Sequence, residues 1–197
     1  MNIRLAAGAL LLFAAGCATI PPQVIPGDWP VRRTELQALA NWNLSGRVAI
    51  AARTEGFSGG LSWSQRGEQA EIELRKPMGG AAILVHVDGA QYAVTDERGA
   101  THSGEDARRF IMENFRADAP LPIAELRYWL VGVPAPGAPH QESIGQDQRL
   151  AALEQSGWRV RYDRYTAVGS LAMPERIEIT TEGLRLRVLV ADWRLTP

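Results

Sequence analysis

The chain has 197 residues, of which 21 are basic, 22 acidic and one is cysteine, and 46% are hydrophobic. A near-neutral balance without a long block of like charge leaves nucleic-acid binding without electrostatic support. A single cysteine excludes a disulfide framework and a thiolate metal cluster, and the length fits one domain with a sizeable core.

The N-terminus reads as an export signal. Arg4 precedes an apolar run from Leu5 to Ala15, and Gly16-Cys17-Ala18 follows. This is the pattern of a bacterial lipoprotein signal peptide over residues 1–16, with Cys17 as the lipid-attachment residue and Ala14 where leucine is usual. The run is about half the roughly 20 residues that a membrane helix needs, so it reads as a cleaved signal rather than a retained anchor. Ala18, in place of aspartate, points by the lipoprotein sorting rule to the outer membrane. Residues 17–27 then form a lipidated cysteine and a proline-rich, semi-rigid tether, with the folded domain expected over 28–197.

Asp28 can N-cap a helix through Pro30, Arg33, Leu36 and Leu39 to about Asn41, Pro30 being tolerated in the first turn. Strands follow, several with period-two alternation. Leu61 and Trp63 alternate with Ser62 and Ser64, and Ile72 and Leu74 with Glu71, Glu73 and Arg75. Further on, Trp158, Val160 and Tyr162 alternate with Arg159, Arg161 and Asp163, and Ile177 and Ile179 with Arg176, Glu178 and Thr180. Such strands suit an antiparallel sheet wet on one face, with Glu68, Gly89, Gly99, Gly157 and Gly183 at short hairpin connections.

Between the two groups of strands the spacing becomes helical. Ser103 with Asp106 opens one helix through Arg109, Phe110, Met112 and Phe115; a second fits Pro122 to Val131, stopped by Gly132. Three helices against ten or eleven strands predict a mainly β fold, a strongly curved sheet over which helices close.

Two tempting sites have bland readings. Gly56-Phe57-Ser58-Gly59-Gly60 matches the G-x-S-x-G nucleophile pattern, but an alternating strand follows instead of a helix, so a glycine-rich hairpin loop is expected. His86, His102 and His140 are too scattered for a metal site, and no phosphate-binding loop is present. Neither a catalytic set nor a cofactor site is read from the residues.

Of six tryptophans, Trp63, Trp158 and Trp193 fall on strands and Trp129 on a helix, so they are candidates to line one apolar cavity; ordinary core packing is the other reading of each. Arg75-Lys76-Pro77-Met78-Gly79-Gly80 predicts a turn with Met78 near its tip, where Asn, Asp or Ser would be usual. An exposed apolar tip beside two cations suits contact with a membrane or a partner.

The lipobox, the tether and the element order, taken with Asn43-Leu44-Ser45-Gly46-Arg47, Leu61-Ser62-Trp63, Lys76-Pro77-Met78-Gly79, Arg127 to Pro134, Ala172-Met173-Pro174 and Asp192-Trp193, resemble the LolB family of outer-membrane lipoprotein receptors. The resemblance implies an unclosed, eleven-stranded antiparallel β-barrel with helices covering an apolar cavity for lipoprotein acyl chains. It further implies a monomeric receptor, not an enzyme, that takes lipoproteins from the periplasmic carrier LolA and releases them into the inner leaflet of the outer membrane. Pro77, Met78 and Gly79 would form its insertion loop, methionine standing where the family usually has leucine. The competing expectation is a structural or assembly lipoprotein with a filled β core.

Overall fold

The computed structural model describes residues 28–52, 56–77, 79, 82–115 and 121–196. Helix α1 (Trp29–Gln37) precedes strands β1 (Asn41–Ala52), β2 (Gly56–Arg66), β3 (Gln69–Arg75), β4 (Ile83–Asp88), β5 (Gln91–Thr95) and β6 (Thr101–Ser103). Helices α2 (Gly104–Phe115) and α3 (Ile123–Val131) come next, followed by β7 (His140–Ile144), β8 (Leu150–Gln155), β9 (Trp158–Val168), β10 (Leu171–Thr181) and β11 (Leu184–Leu195).

All eleven strands join one antiparallel sheet in the order β6-β5-β4-β3-β2-β1-β11-β10-β9-β8-β7. Among the described residues its two ends, β6 and β7, are not paired with each other, so the barrel is unclosed. The long central pair β1 and β11 is in register from Trp42 opposite Leu195 to Ala52 opposite Leu184, with a shift between Ser45 and Gly46 that adds local bend.

The alternation read in the sequence becomes the two faces of the sheet. Leu61, Trp63, Ile72, Leu74, Val160, Tyr162, Ile177 and Ile179 are buried, while Arg159, Arg161, Asp163 and Arg176 are exposed. Antiparallel pairing also sorts the connections into two ends. Segment 76–82 leaves the sheet at the same end as the β8–β9 and β10–β11 turns, and the β2–β3 and β4–β5 turns lie at the other.

The three helices take different places. α1 packs beside β7, where the Trp29 indole N–H donates to Glu142 over 2.7 Å and Arg33 pairs with the same carboxylate at 3.1 Å. α2 and α3 place Ile111, Phe115, Ile123, Leu126 and Leu130 against the inner face. α3 ends as the sequence predicts: Gly132 has φ 87°, and a Cβ there would stand 3.0 Å from the Pro174 ring. The buried core runs from Trp29 to Trp193, so a chain beginning at Asp28 retains all of it.

Three expectations are corrected. α1 stops at Gln37 instead of about Asn41, because Asn41 is already taken into β1, pairing with Arg66 and accepting from Thr196 N–H over 3.1 Å. Asp28 occupies the N-cap position, but its side chain makes no capping bond; its backbone carbonyl accepts from Arg32 N–H instead. The stretch Gly56 to Gly60 is not a loop but the start of β2. Glycine is needed at 59 for close approach: a Cβ there would lie 2.1 Å from the Arg75 carbonyl oxygen.

Candidate functional site

The concave face of the sheet and the two helices above it enclose a cavity of about 70 Å³. Its wall is Val48 and Ile50 of β1, Leu61 and Trp63 of β2, Ile72 and Leu74 of β3, Val85, Ile179, Leu186 and Val188. Its roof is Ile111 and Phe115 of α2 and Leu121, Ile123, Leu126 and Leu130 on and before α3. Among the described residues every lining side chain is apolar. Such a space is dry, offers no hydrogen bond to a polar ligand, and can take only hydrocarbon.

Size sets what the closed form holds. An apolar cavity of about 150 Å³ takes one benzene, so 70 Å³ has room for no more than the end of an acyl chain. The roof supplies six of the lining residues, none of them on a strand.

Of the four candidate tryptophans, only Trp63 lines this cavity. Its indole N–H donates to the buried Gln65 over 2.9 Å, and its ring stacks on Trp42 at 5.8 Å. Trp193 packs edge-on against Trp42 at 5.4 Å and donates to the Pro174 carbonyl over 2.8 Å. Trp129 and Trp158 form a separate pair at 6.3 Å, and Trp129 donates to Gln155 over 2.8 Å. The four do not form one lining, because three of the side chains are spent on packing between the strands and under α3. Trp42 escaped the sequence reading although Trp42 and Leu44, alternating with Asn41 and Asn43, carry the strand signal.

Gln65 and Gln155 were also unforeseen. Each is 2% exposed and fully engaged: Gln65 donates to the carbonyls of Gly67 and Gln69, and Gln155 exchanges bonds with the backbone of Ala135. They satisfy the indole N–H groups that burial of Trp63 and Trp129 brings inside. Arg127 of α3 reaches across to the β2–β3 turn, donating to the Gly67 carbonyl over 3.1 Å and to Glu68 over 2.8 Å, and it also contacts the Tyr128 hydroxyl. Burial pulls the guanidinium down, but the bonds to Glu68 and Tyr128 outweigh it and hold its pKa above the ordinary value.

Cys17 and Met78 lie outside the described residues. Around the latter, Pro77 and Gly79 are exposed, and Gly79 N–H donates to the Lys76 carbonyl over 3.2 Å, closing a tight turn. The two neighbouring cations have carboxylate partners: Lys76 pairs with Glu97 at 2.7 Å and Arg75 with Glu73. Both cations are more than half exposed, so these pairs contribute little to stability.

Ser58 stands within β2 rather than at a strand-to-helix elbow, which removes the hydrolase geometry. His86 is exposed on the outer face of β4, His102 stacks on Phe110 at 4.7 Å and meets Asp96 at 3.5 Å, and His140 meets Glu142 at 3.3 Å. Among the described residues no three His, Cys, Asp or Glu side chains gather as a metal site would require.

The profile of the family described as "Outer membrane lipoprotein LolB" matches residues 40–193. Proteins named outer-membrane lipoprotein LolB are similar along almost the whole chain. That of Nitrosococcus oceani is 33% identical, covering 94% of this chain and 94% of its own. That of Stutzerimonas stutzeri is 33% identical over 97% of this chain and 95% of its own, and that of Ectopseudomonas mendocina 31% identical over 94% and 93%. Among solved structures, a DUF1329 family protein from Desulfovibrio piger has a TM-score of 0.57 at 10% identity, covering 85% of this chain and 90% of its own. A LolA superfamily protein from Nitrosomonas europaea has a TM-score of 0.52 at 10% identity, covering 87% and 94%. Both share the fold.

Proposed function

The chain belongs to the LolB family of outer membrane lipoproteins, and from that premise we propose that it receives lipoproteins from the periplasmic carrier LolA, holds their acyl chains beneath α2 and α3, and inserts them into the inner leaflet of the outer membrane. It acts there as a monomeric localisation factor rather than as an enzyme. Residues 1–16 are its signal, Cys17 carries its own lipid, and 17–27 tether the domain of 28–197 to the periplasmic face. The observation that carries this reading is the wholly apolar cavity inside an unclosed barrel, roofed by two helices instead of a further strand pair.

The energetics fit. Each buried methylene is worth about 0.8 kcal/mol, so an acyl chain of about fifteen carbons costs on the order of 10 kcal/mol to expose to water. A lipoprotein therefore travels only in a protein's keeping. Without a nucleotide site the transfer runs downhill, the cavity binding acyl chains more tightly than the carrier and less tightly than the bilayer.

One observation favours a second reading, a structural or assembly lipoprotein with a filled core: the closed cavity is only about 70 Å³. Titrating the chain Asp28–Pro197 with a fluorescent sixteen-carbon fatty acid separates the two. Saturable micromolar binding that quenches tryptophan is expected of the receptor; no binding sinks it in favour of the assembly subunit.

A further inference from the structure

A recess of about 340 Å³ opens where the β2–β3 and β4–β5 turns face the first half of α3. Trp63 and Ile123 line both this recess and the apolar cavity, so these two side chains form the partition between them. The two spaces differ in chemistry. Gln65, Glu68, Glu125, Arg127 and Tyr128 face the recess, and only hydrocarbon faces the cavity. Trp63 belongs to both, its ring toward the apolar side and its N–H held by Gln65.

α3 is fastened unevenly. At its C-terminal end, Trp129 is fixed in the interior, its indole donating to Gln155 and its carbonyl accepting from the Tyr162 hydroxyl, each over 2.8 Å. Nearer the recess, the polar ties from α3 to the sheet among the described residues are those of Arg127 to Gly67 and Glu68. The Glu68 side chain is 70% exposed, so releasing it to water costs little. Ile123 and Leu126 contribute apolar contact alone, which a hydrocarbon ligand can replace like for like.

We propose that this recess is the entrance of the cavity and the subsite for the polar head of an acyl lipid, a proposal that rests on the acyl-chain reading above. α3 pivots about Trp129, the Arg127–Glu68 clamp opens, Ile123 parts from Trp63, and the two spaces become one. The chain then lies in the apolar part while its carboxylate or ester oxygens stay on the Arg127 guanidinium. A head group cannot follow the chain inward, because nothing there would satisfy it. The planar fork of Arg127, already turned toward two oxygen acceptors, suits acyl oxygens. This entrance is at the opposite end of the sheet from segment 76–82, so cargo is taken up at one end and the insertion loop stands at the other.

Bridging tests the route. The chain Asp28–Pro197 contains no cysteine, so Glu68→Cys with Arg127→Cys can be joined by a short bis-methanethiosulfonate, each thiol displacing methanesulfinate to leave a reducible disulfide bridge. Lys76→Cys with Glu97→Cys, replacing an ion pair at the other end, is the control. Uptake of fluorescent palmitate should be more than tenfold slower in the first protein when bridged than in the same protein reduced, and equal between the bridged and reduced forms of the second. Undiminished uptake across the first bridge, or loss only with the second, overturns the route. Absence of binding by the unbridged chain overturns the acyl-chain reading itself and this inference with it.

The head subsite is tested with Arg127→Met, comparing palmitate, monopalmitoylglycerol and hexadecanol. A charge-assisted hydrogen bond lost is worth about tenfold or more in affinity. A fall for palmitate alone assigns a free fatty acid to the subsite, and a fall for palmitate and the glyceride assigns esters as well. An equal change for hexadecanol overturns the head contact.

Discussion

Tyr162 on β9 donates its hydroxyl hydrogen to the carbonyl of Trp129 on α3 over 2.8 Å, both residues buried. The same carbonyl accepts from Gly132 N–H at 3.2 Å, so a strand and the helix cap converge on one atom. Burial holds the phenol protonated well above its ordinary range, which keeps the donor in place. Tyr162→Phe should lower stability by about 1–2 kcal/mol, seen as a lower urea midpoint at unchanged slope. A change below about 0.3 kcal/mol would show the bond to be replaceable by packing.

The distribution of tryptophans predicts a spectroscopic result. If acyl chains occupy the cavity, Trp63 is the reporter, since Trp129, Trp158 and Trp193 lie outside its lining. Trp63→Phe should abolish most of the fluorescence change on palmitate binding, whereas Trp158→Phe should preserve it. Equal losses in the two variants would place the ligand elsewhere.

That contrast also marks how far the sequence reaches. The inward faces of β2, β3, β9 and β10, α2, and α3 with its Gly132 stop follow from period-two and helical spacing, because side-chain direction is a local property. Which buried tryptophans share a space is not local. Trp63 and Ile123 meet through the closure of α3 over β2, set by contacts such as Arg127 with Glu68, 59 residues apart. Nor does periodicity distinguish a glycine needed for close approach, such as Gly59 against Arg75, from a glycine in a loop. The end of α1 is set by a similar non-local contact: Leu39 continues the helical spacing, but the β1 ladder claims Asn41.

Glu178 gives a pH dependence of defined sign. The hydrogen bond from Arg187 at 2.8 Å is the main cause of its lowered pKa; burial opposes it, and the charges of Arg185, Arg187 and Arg161 add to it. A folded value below the ordinary 4.5 means a stabilisation present above 4.5 and lost as pH falls through the folded value. The stability difference between the wild type and Glu178→Gln should therefore be full near neutrality and shrink as pH falls from 4.5 through the folded value. A difference independent of pH would assign the effect to packing alone.

Cys17 and Met78 divide the proposed task between holding and inserting. Without Cys17, a chain starting at Asp28 keeps the core and should bind acyl chains, but it should deliver lipoproteins to any bilayer offered. Met78 is different in kind. An apolar side chain entering a leaflet gains about 1.5–3 kcal/mol, and a carboxylate at the same point forfeits this and adds a desolvation cost. Met78→Glu should thus slow insertion of a lipidated test protein into liposomes by about tenfold or more, while acyl-chain binding by the soluble chain is unchanged. Met78→Leu should insert at least as fast as the wild type. Equal insertion by the glutamate variant would remove the loop from the transfer step and leave the cavity and its roof to govern release.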